Sequence, residues 1–263
     1  MQNLLEKIYL ERGFDFREYR VSTLTRRMKR RMCARGAGSY GDYACVLDSD
    51  PAEYERLFDD FTINVSGFFR DAAAFKALEA VVLPAIINEA MKRGRGPCIW
   101  SAGCATGQEP YSIAVLLMET LGPDINTKGV TLLATDIDGK ALNRARRGTF
   151  PAKEVKEIPA TWRDKYFAHN NKGLRVVSTL VEMISFKIHD LTGEMPWNDM
   201  DLVVCHNVLI YFLPALQTRV LKGFHGALKK DGFLLLGKAE VPVGQAKRLF
   251  HCVDSKAKLY RKN

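Results

Sequence analysis

Residues 99–117 read IWSAGCATGQEPYSIAVLL, an apolar strand-like run that passes through two glycines into a helical segment. In an open parallel sheet a ligand binds beyond the carboxyl ends of the strands, and a glycine-rich first turn lets the backbone approach it closely. Gly103 and Gly107 stand where such a turn needs them. A phosphate-binding loop would finish with lysine and a hydroxyl residue, so that the ammonium group neutralises phosphate charge. Here Gln108 and Glu109 follow Gly107, and a carboxylate in that place repels phosphate. It suits a ligand that carries hydroxyls, an amine or a positive charge. A second acid, Asp136 in LLATDID (132–138), ends the next apolar run, where an acid accepts hydrogen bonds from ribose hydroxyls. S-adenosylmethionine has a ribose, an ammonium group and a cationic sulfonium but no phosphate, and it meets these demands. A glycine turn with one following acid also fits a dinucleotide site or a purely structural turn, so the rest of the chain has to choose.

Around this stretch strand and helix signals alternate: CIWSAG, PYSIAVLLMETLG, VTLLATDID and KALNRARRG, then DLVVCHN (201–207), LPALQTRVLKGFHGALKK (213–230) and GFLLLGKAE (232–240). Such alternation predicts a parallel sheet with crossover helices. Between RRGTF and DLVVC lies a more polar insertion with short β-like pieces at LRVVS and ISFKI. The first sixty residues read differently, as helices NLLEKIYLERG, STLTRRMKRRMCARG, SYGDYACVLDSD and PAEYERLFDDF. Gly13 and Gly36 close two of them, Ser22 is the expected cap of the second, and Pro51 suits a helix start. We expect a helical domain over 1–60 and a ligand-binding domain over 61–263, with the insertion at about 151–190.

The 263 residues, 47% hydrophobic and 26% charged, suit a globular chain and disfavour disordered and fibrous classes. The longest apolar runs are too short or too polar to span a bilayer, and the opening MQNLLEKIYLERG offers no apolar signal core. A cytoplasmic, non-membrane protein is expected. Six scattered cysteines form no C-x-x-C pair and have no histidine at metal-ligand spacing, so reduced, mostly buried thiols and no metal are expected. His169, His189, His225 and His251 likewise lack partners at metal spacing. Trp100 and Trp197 are core or pocket-wall residues, and Cys104 can touch a ligand through its backbone. The net charge of +9 implies an acidic partner without saying which.

Further stretches decide the family. FTINVSGFFRD (61–71), SAGCATGQEPYSIA (101–114), TDID (135–138), RRGTF (146–150), ISFKIHDL (184–191) and DLVVCHNVLIYF (201–212), in this order, closely resemble the CheR-type chemotaxis-receptor glutamate methyltransferases. The resemblance runs from STLTRRMKRRM to the terminal LYRKN. It implies an α/β fold: a Rossmann-like S-adenosylmethionine-dependent methyltransferase domain with a small all-helical N-terminal domain and a small antiparallel β-subdomain insertion. It implies methyl ester formation on glutamate side chains of chemoreceptors or related signalling proteins, with S-adenosylhomocysteine as product. Its cofactor contacts fall on Asn64, Ser66, Arg70, Gly103, Glu109, Asp136, Asp190, Leu191, His206 and Asn207, with Arg70 pairing the methionine carboxylate and Tyr211 near the transferred methyl group.

The chain departs from the family at three places. His206 stands where arginine is usual, which turns a fixed charge into one that depends on pH. GKAE (237–240) replaces the usual glycine, histidine, serine, glutamate ending, and Ser66 stands for a commoner threonine. A catalytically weakened, cofactor-binding regulatory module, silenced by His206 and Lys238, is the alternative reading. The stretch FAHNNKGLRV (167–176) is shorter and less glycine-rich than the loop with which some members grip a receptor's C-terminal pentapeptide, so no dependence on that tether is expected. A monomer is the working expectation.

A glutamate acceptor, with an ordinary pKa of about 4.3, is already nucleophilic near neutral pH, which explains why no Ser-His-Asp or Cys-His set is in evidence. In the second helix Leu24, Met28 and Met32 lie four apart and form an apolar stripe. Arg27, Arg30 and Arg31 then project to the other faces, where the resemblance implies that they meet acidic receptor helices. A solvated helix face and a nucleic-acid surface are the rival readings of those arginines. No zinc spacing or RNP-like aromatic strand supports the latter, so no nucleic-acid partner is expected.

Overall fold

The structure is a computed structural model and describes residues 1–122, 129–170 and 173–263. It divides into two compact units, residues 1–63 with 211–217, and residues 64–210 with 218–263.

The first unit is built on α1 (Gln2–Arg12), α2 (Val21–Ala34), α3 (Tyr40–Ser49) and α4 (Ala52–Phe61). Gly13 ends α1 at φ +72°, a conformation that costs glycine little. Ser39 begins α3 with a reciprocal capping box to Asp42. The expected Ser22 cap is corrected: α2 starts one residue earlier, with Arg20 at the cap position and no side-chain cap bond. Leu24, Met28 and Met32 are buried as their spacing requires and join Leu5, Tyr43, Leu57 and Phe61 in one core. Glu53, wholly buried, accepts hydrogen bonds from Arg31 Nε and Nη2, both at 2.8 Å, and from the Tyr43 hydroxyl at 2.8 Å. A buried carboxylate survives only when paired and hydrogen-bonded in this way. The segment 211–217 joins this core through the Tyr19–Phe212 bridge and the Arg20 N–H donated to the Tyr211 carbonyl at 2.7 Å.

The second unit opens with α5 (Ala72–Ala77), a π-helical turn at Leu78–Val82 and α6 (Leu83–Lys92). There follow β1 (Cys98–Ala102), α7 (Gln108–Leu121), β2 (Thr131–Asp136), α8 (Gly139–Arg147), β3 (Thr149–Phe150), α9 (Ala160–Tyr166), β4 (Phe167–Asn170) and β5 (Gly173–Val176). The chain then forms α10 (Ser178–Glu182), β6 (Ile184–Ile188), β7 (Met200–Cys205), α11 (Pro214–Ala227), β8 (Leu228–Leu236), β9 (Phe250–Asp254) and β10 (Leu259–Lys262). The main sheet has the order β6-β2-β1-β7-β8-β10-β9. Its first five strands are parallel, and β10 and β9 add antiparallel. β7 is buried at every residue and β1 at all but its first, which is why both read as continuous apolar runs. A smaller antiparallel sheet, β3-β5-β4, is the insertion. The expected α/β architecture, with a helical domain and a small antiparallel subdomain, is therefore present.

Several finer expectations change. ISFKI, expected within the antiparallel insertion, is β6, an edge strand that pairs parallel to β2. Its alternating burial is that of a strand with one face free. Of the six cysteines, all free among the described residues, Cys104 and Cys205 are buried while Cys33, Cys45 and Cys252 are exposed. Small size, not burial, lets those three sit on polar helix and strand faces. The tether expectation falls partly on Asn171 and Lys172, which lie outside the described residues. Among the described residues no helix is long and apolar enough to cross a membrane, and no cluster suits a metal.

Candidate active site at the carboxyl ends of the strands

β1 ends in the glycine turn. Gly103 N–H and Cys104 N–H both donate to the Thr135 carbonyl, at 2.8 and 2.9 Å, which ties the turn to the end of β2. Gly103 has φ +78°, and a Cβ there would lie 2.5 Å from Val208 Cγ2. Gly107, at φ +97°, begins α7 against Ala145, whose Cβ an added Cβ would meet at 2.7 Å. Glycine is required at both positions, for conformation and for space.

Two acids border this turn. Asp136, 9% exposed, accepts the Ala105 N–H on Oδ2 at 2.8 Å and the Asp138 N–H on Oδ1 at 2.9 Å. Burial pushes its pKa up against the pull of those backbone donors. Glu109, 8% exposed in the first turn of α7, accepts the Ser101 hydroxyl on Oε1 at 2.7 Å and faces His206 Nδ1 with Oε2 at 2.9 Å. A carboxylate near a helix N-terminus is favoured by the helix dipole. His206 follows β7; its Nε2 is buried and meets no hydrogen-bond partner among the described residues.

Asn207 adopts φ +60°, and its N–H donates to Glu240 Oε2 at 3.0 Å. The same buried carboxylate accepts the Gly237 N–H at 2.7 Å and the Ile210 N–H at 3.2 Å. Burial pushes the Glu240 pKa up, while these backbone donors oppose the shift. Sequence reasoning does not single out Glu240 as a site residue. The available signal is an acid three residues beyond the glycine that ends an apolar strand. The remaining candidates distribute as follows. Asn64 Nδ2 donates to Asp138 Oδ2 at 2.6 Å, and Ser66 is half-buried in the same loop. Asp190 Oδ1 accepts the Thr192 N–H at 2.8 Å, just beyond His189, whose N–H reaches the Asp136 carbonyl at 3.0 Å. Leu191 is buried and borders a cavity of about 600 Å³ with Trp197, Met195 and Arg219; Trp100, against Trp197, is core. Arg70 is exposed and donates Nη1 to the Val65 carbonyl at 2.8 Å.

Thus Gly103, Glu109, Asp136, His206 and Asn207 gather where β1, β2 and β7 end. Tyr211 belongs to the first unit, as do the three arginines. Arg31 is committed to Glu53, Arg30 pairs with Asp60, and Arg27 Nη1 donates to the Asp60 carbonyl at 2.7 Å. Arg27 has its pKa pushed down by burial and by Arg30 and Arg26.

S-adenosylmethionine fits this donor set. Two buried carboxylates serve hydroxyls and positive charge, the turn carries no lysine, and the orphaned His206 Nε2 leaves a polar atom for a ligand. Residues 64–259 match the family described as CheR methyltransferase, SAM binding domain, and residues 1–62 match the CheR methyltransferase all-alpha domain. Chemotaxis protein methyltransferase 2 of Pseudomonas aeruginosa is 32% identical, over 91% of this chain and 85% of its own. A chemotaxis protein methyltransferase of Listeria monocytogenes is 30% identical, over 90% of each chain. An uncharacterized 104.1 kDa protein of Rhodobacter capsulatus is 31% identical over 91% of this chain, which spans only 25% of that relative. With both domain families matched in order on a sheet whose first turn is edged by acids, the chain belongs to the CheR methyltransferases and is an S-adenosylmethionine-binding methyltransferase.

Proposed function

We propose that this protein esterifies glutamate side chains on the cytoplasmic helices of a chemoreceptor or a related signalling protein, and that it works in the cytoplasm. The observation that carries the reading is the pair of buried acids, Glu109 and Asp136, at the glycine turn where a phosphate site would present lysine. The similarity to proteins named chemotaxis methyltransferases supports the choice of acceptor.

When bound, the donor supplies a methyl group on a positively charged sulfur. The acceptor carboxylate oxygen forms the new bond to that carbon as the carbon–sulfur bond breaks, and its electron pair stays on sulfur as a neutral thioether. No proton moves, so the chain needs no general base. Its task is alignment, which contributes roughly 7–11 kcal/mol when geometry is good. Asp136 and Glu109 are proposed to hold the donor's hydroxyl and charged groups, with Asn64, Ser66, Asp190, Leu191 and the Asn207 backbone completing the cradle. Gly103 keeps the turn close, and Arg70 would turn from the Val65 carbonyl to a carboxylate. Arg27 and the exposed Arg30 are proposed to draw acidic helices by their field, an attraction that weakens with salt, while the charge of Arg31 is spent on Glu53. The protein is proposed to act without a receptor C-terminal pentapeptide tether.

The test is transfer of labelled methyl from S-adenosylmethionine to a receptor cytoplasmic fragment, read as methanol released in base. Base-stable label, or label on nucleic acid, would overturn the acceptor assignment. Tyr211→Phe is expected to lower turnover about fivefold while S-adenosylhomocysteine affinity stays within about twofold, since one hydroxyl contact to the acceptor is worth about 1 kcal/mol. Equal turnover in the two proteins removes Tyr211 from the site.

A further inference from the structure

Methyl transfer removes one positive charge from the donor's sulfur, so a site that carries a titratable charge treats donor and product differently as pH changes. His206 has the geometry for this. Its side chain is 6% exposed, and Nδ1 lies 2.9 Å from Glu109 Oε2. Charged groups face it from three elements: Glu109 on α7, Glu240 beyond β8, and Asp71 at the start of α5. The Phe75 ring of α5 stands edge-on at 6.2 Å. The neighbouring Cys205 thiol is kept protonated by burial and by Glu240 and Glu109. Burial alone would pull the imidazole pKa down, but the three carboxylates outweigh it and hold it above the ordinary value.

We propose that the His206 imidazole is the switchable charge by which the site at these strand ends weighs a sulfonium donor against its uncharged thioether product. The proposal rests on the reading of these strand ends as the S-adenosylmethionine site. With His206 protonated, the pair with Glu109 is neutral and offers a sulfonium little. When the proton leaves, the Nδ1–H tautomer keeps the hydrogen bond, the carboxylate charge is no longer cancelled, and the donor gains over the product. The raised pKa moves this change to higher pH than in a free imidazole. The ion pair's contribution to folding is fully present below the unfolded-state value and is lost as pH rises through the folded-state value. An arginine at this position would fix the charge at every pH.

The experiment is calorimetric titration of S-adenosylmethionine and S-adenosylhomocysteine into wild-type protein, His206→Arg and His206→Gln, from about pH 6 to 9. The ligands' own amino groups titrate in this range, and the variants supply that baseline. In the wild type the ratio of donor to product affinity is expected to rise about tenfold more than the baseline, the effect of one unit charge a few ångströms away in a partly screened site. One histidine signal among five in the proton–carbon spectrum, absent from both variants, is expected to titrate above the ordinary histidine range. A wild-type ratio that follows the variants, or a His206 signal titrating at or below the ordinary value, overturns the proposal. If neither ligand binds the wild type at any pH, the cofactor reading falls and this proposal falls with it.

Discussion

Glu109→Gln is expected to lower S-adenosylhomocysteine affinity by about 10- to 100-fold and to move the His206 titration downward. The carboxylate is buried, holds the Ser101 hydroxyl with one oxygen and faces His206 with the other. An amide keeps the shape and loses the charge. Hydrogen bonds to charged groups are worth about 1.5–3 kcal/mol each, and the first-turn acid also loses its favourable place at the helix dipole. With its principal counter-charge gone, burial dominates at His206, and the imidazole becomes neutral across most of the physiological range. Breaking a buried pair costs about 3–5 kcal/mol when the remaining charge persists; neutralisation of His206 keeps the folding cost below that. Calorimetry and histidine NMR on the one variant read both effects. An affinity within threefold of wild type would show that Glu109 does not serve the ligand.

Gly103→Ala is expected to destabilise the second unit by about 2–5 kcal/mol and to abolish measurable methyl transfer. The φ of +78° costs an L side chain about 1–2 kcal/mol. The new methyl group would start 2.5 Å from Val208 Cγ2, and overpacking of this kind adds about 1–3 kcal/mol. Val208 cannot yield alone, because the preceding Asn207 is anchored through its N–H to Glu240. The glycine turn and the loop after β7 therefore move together. A fall in Tm on the order of 5–15 °C should follow for a unit of this size. Val208→Ala in the same chain should recover part of the loss, since it removes the overlap and leaves the backbone strain. No recovery would place the strain elsewhere.

Much of this arrangement is legible in the residues. The run IWSAGCATGQEPYSIAVLL carries strand, turn and helix start in order, and glycine marks the turn because those dihedrals cost it least. Gly13 after α1 and the four-residue spacing of Leu24, Met28 and Met32 in α2 act through the same local physics. What escapes the sequence is pairing between distant segments. ISFKI has the alternation of a half-buried strand, but alternation says nothing about which sheet it joins, and the partner is β2. His206 is readable as a departure from arginine; that its counter-charge is Glu109 is a property of the folded sheet. Glu240 looks like one more acid after a strand, and only the folded loop turns it into the acceptor of three backbone N–H groups. Tyr211 follows a strand of the second unit in sequence, yet its segment is held by Glu18, Tyr19 and Arg20 of the first.

Equilibrium dialysis of labelled S-adenosylmethionine against the purified protein tests the acid-edged turn most directly. One equivalent should be retained at micromolar ligand, displaced by S-adenosylhomocysteine and untouched by NAD or ATP. Retention of nothing that saturates, or displacement by a phosphate-bearing nucleotide, would contradict the assignment of Glu109 and Asp136 to a sulfonium donor.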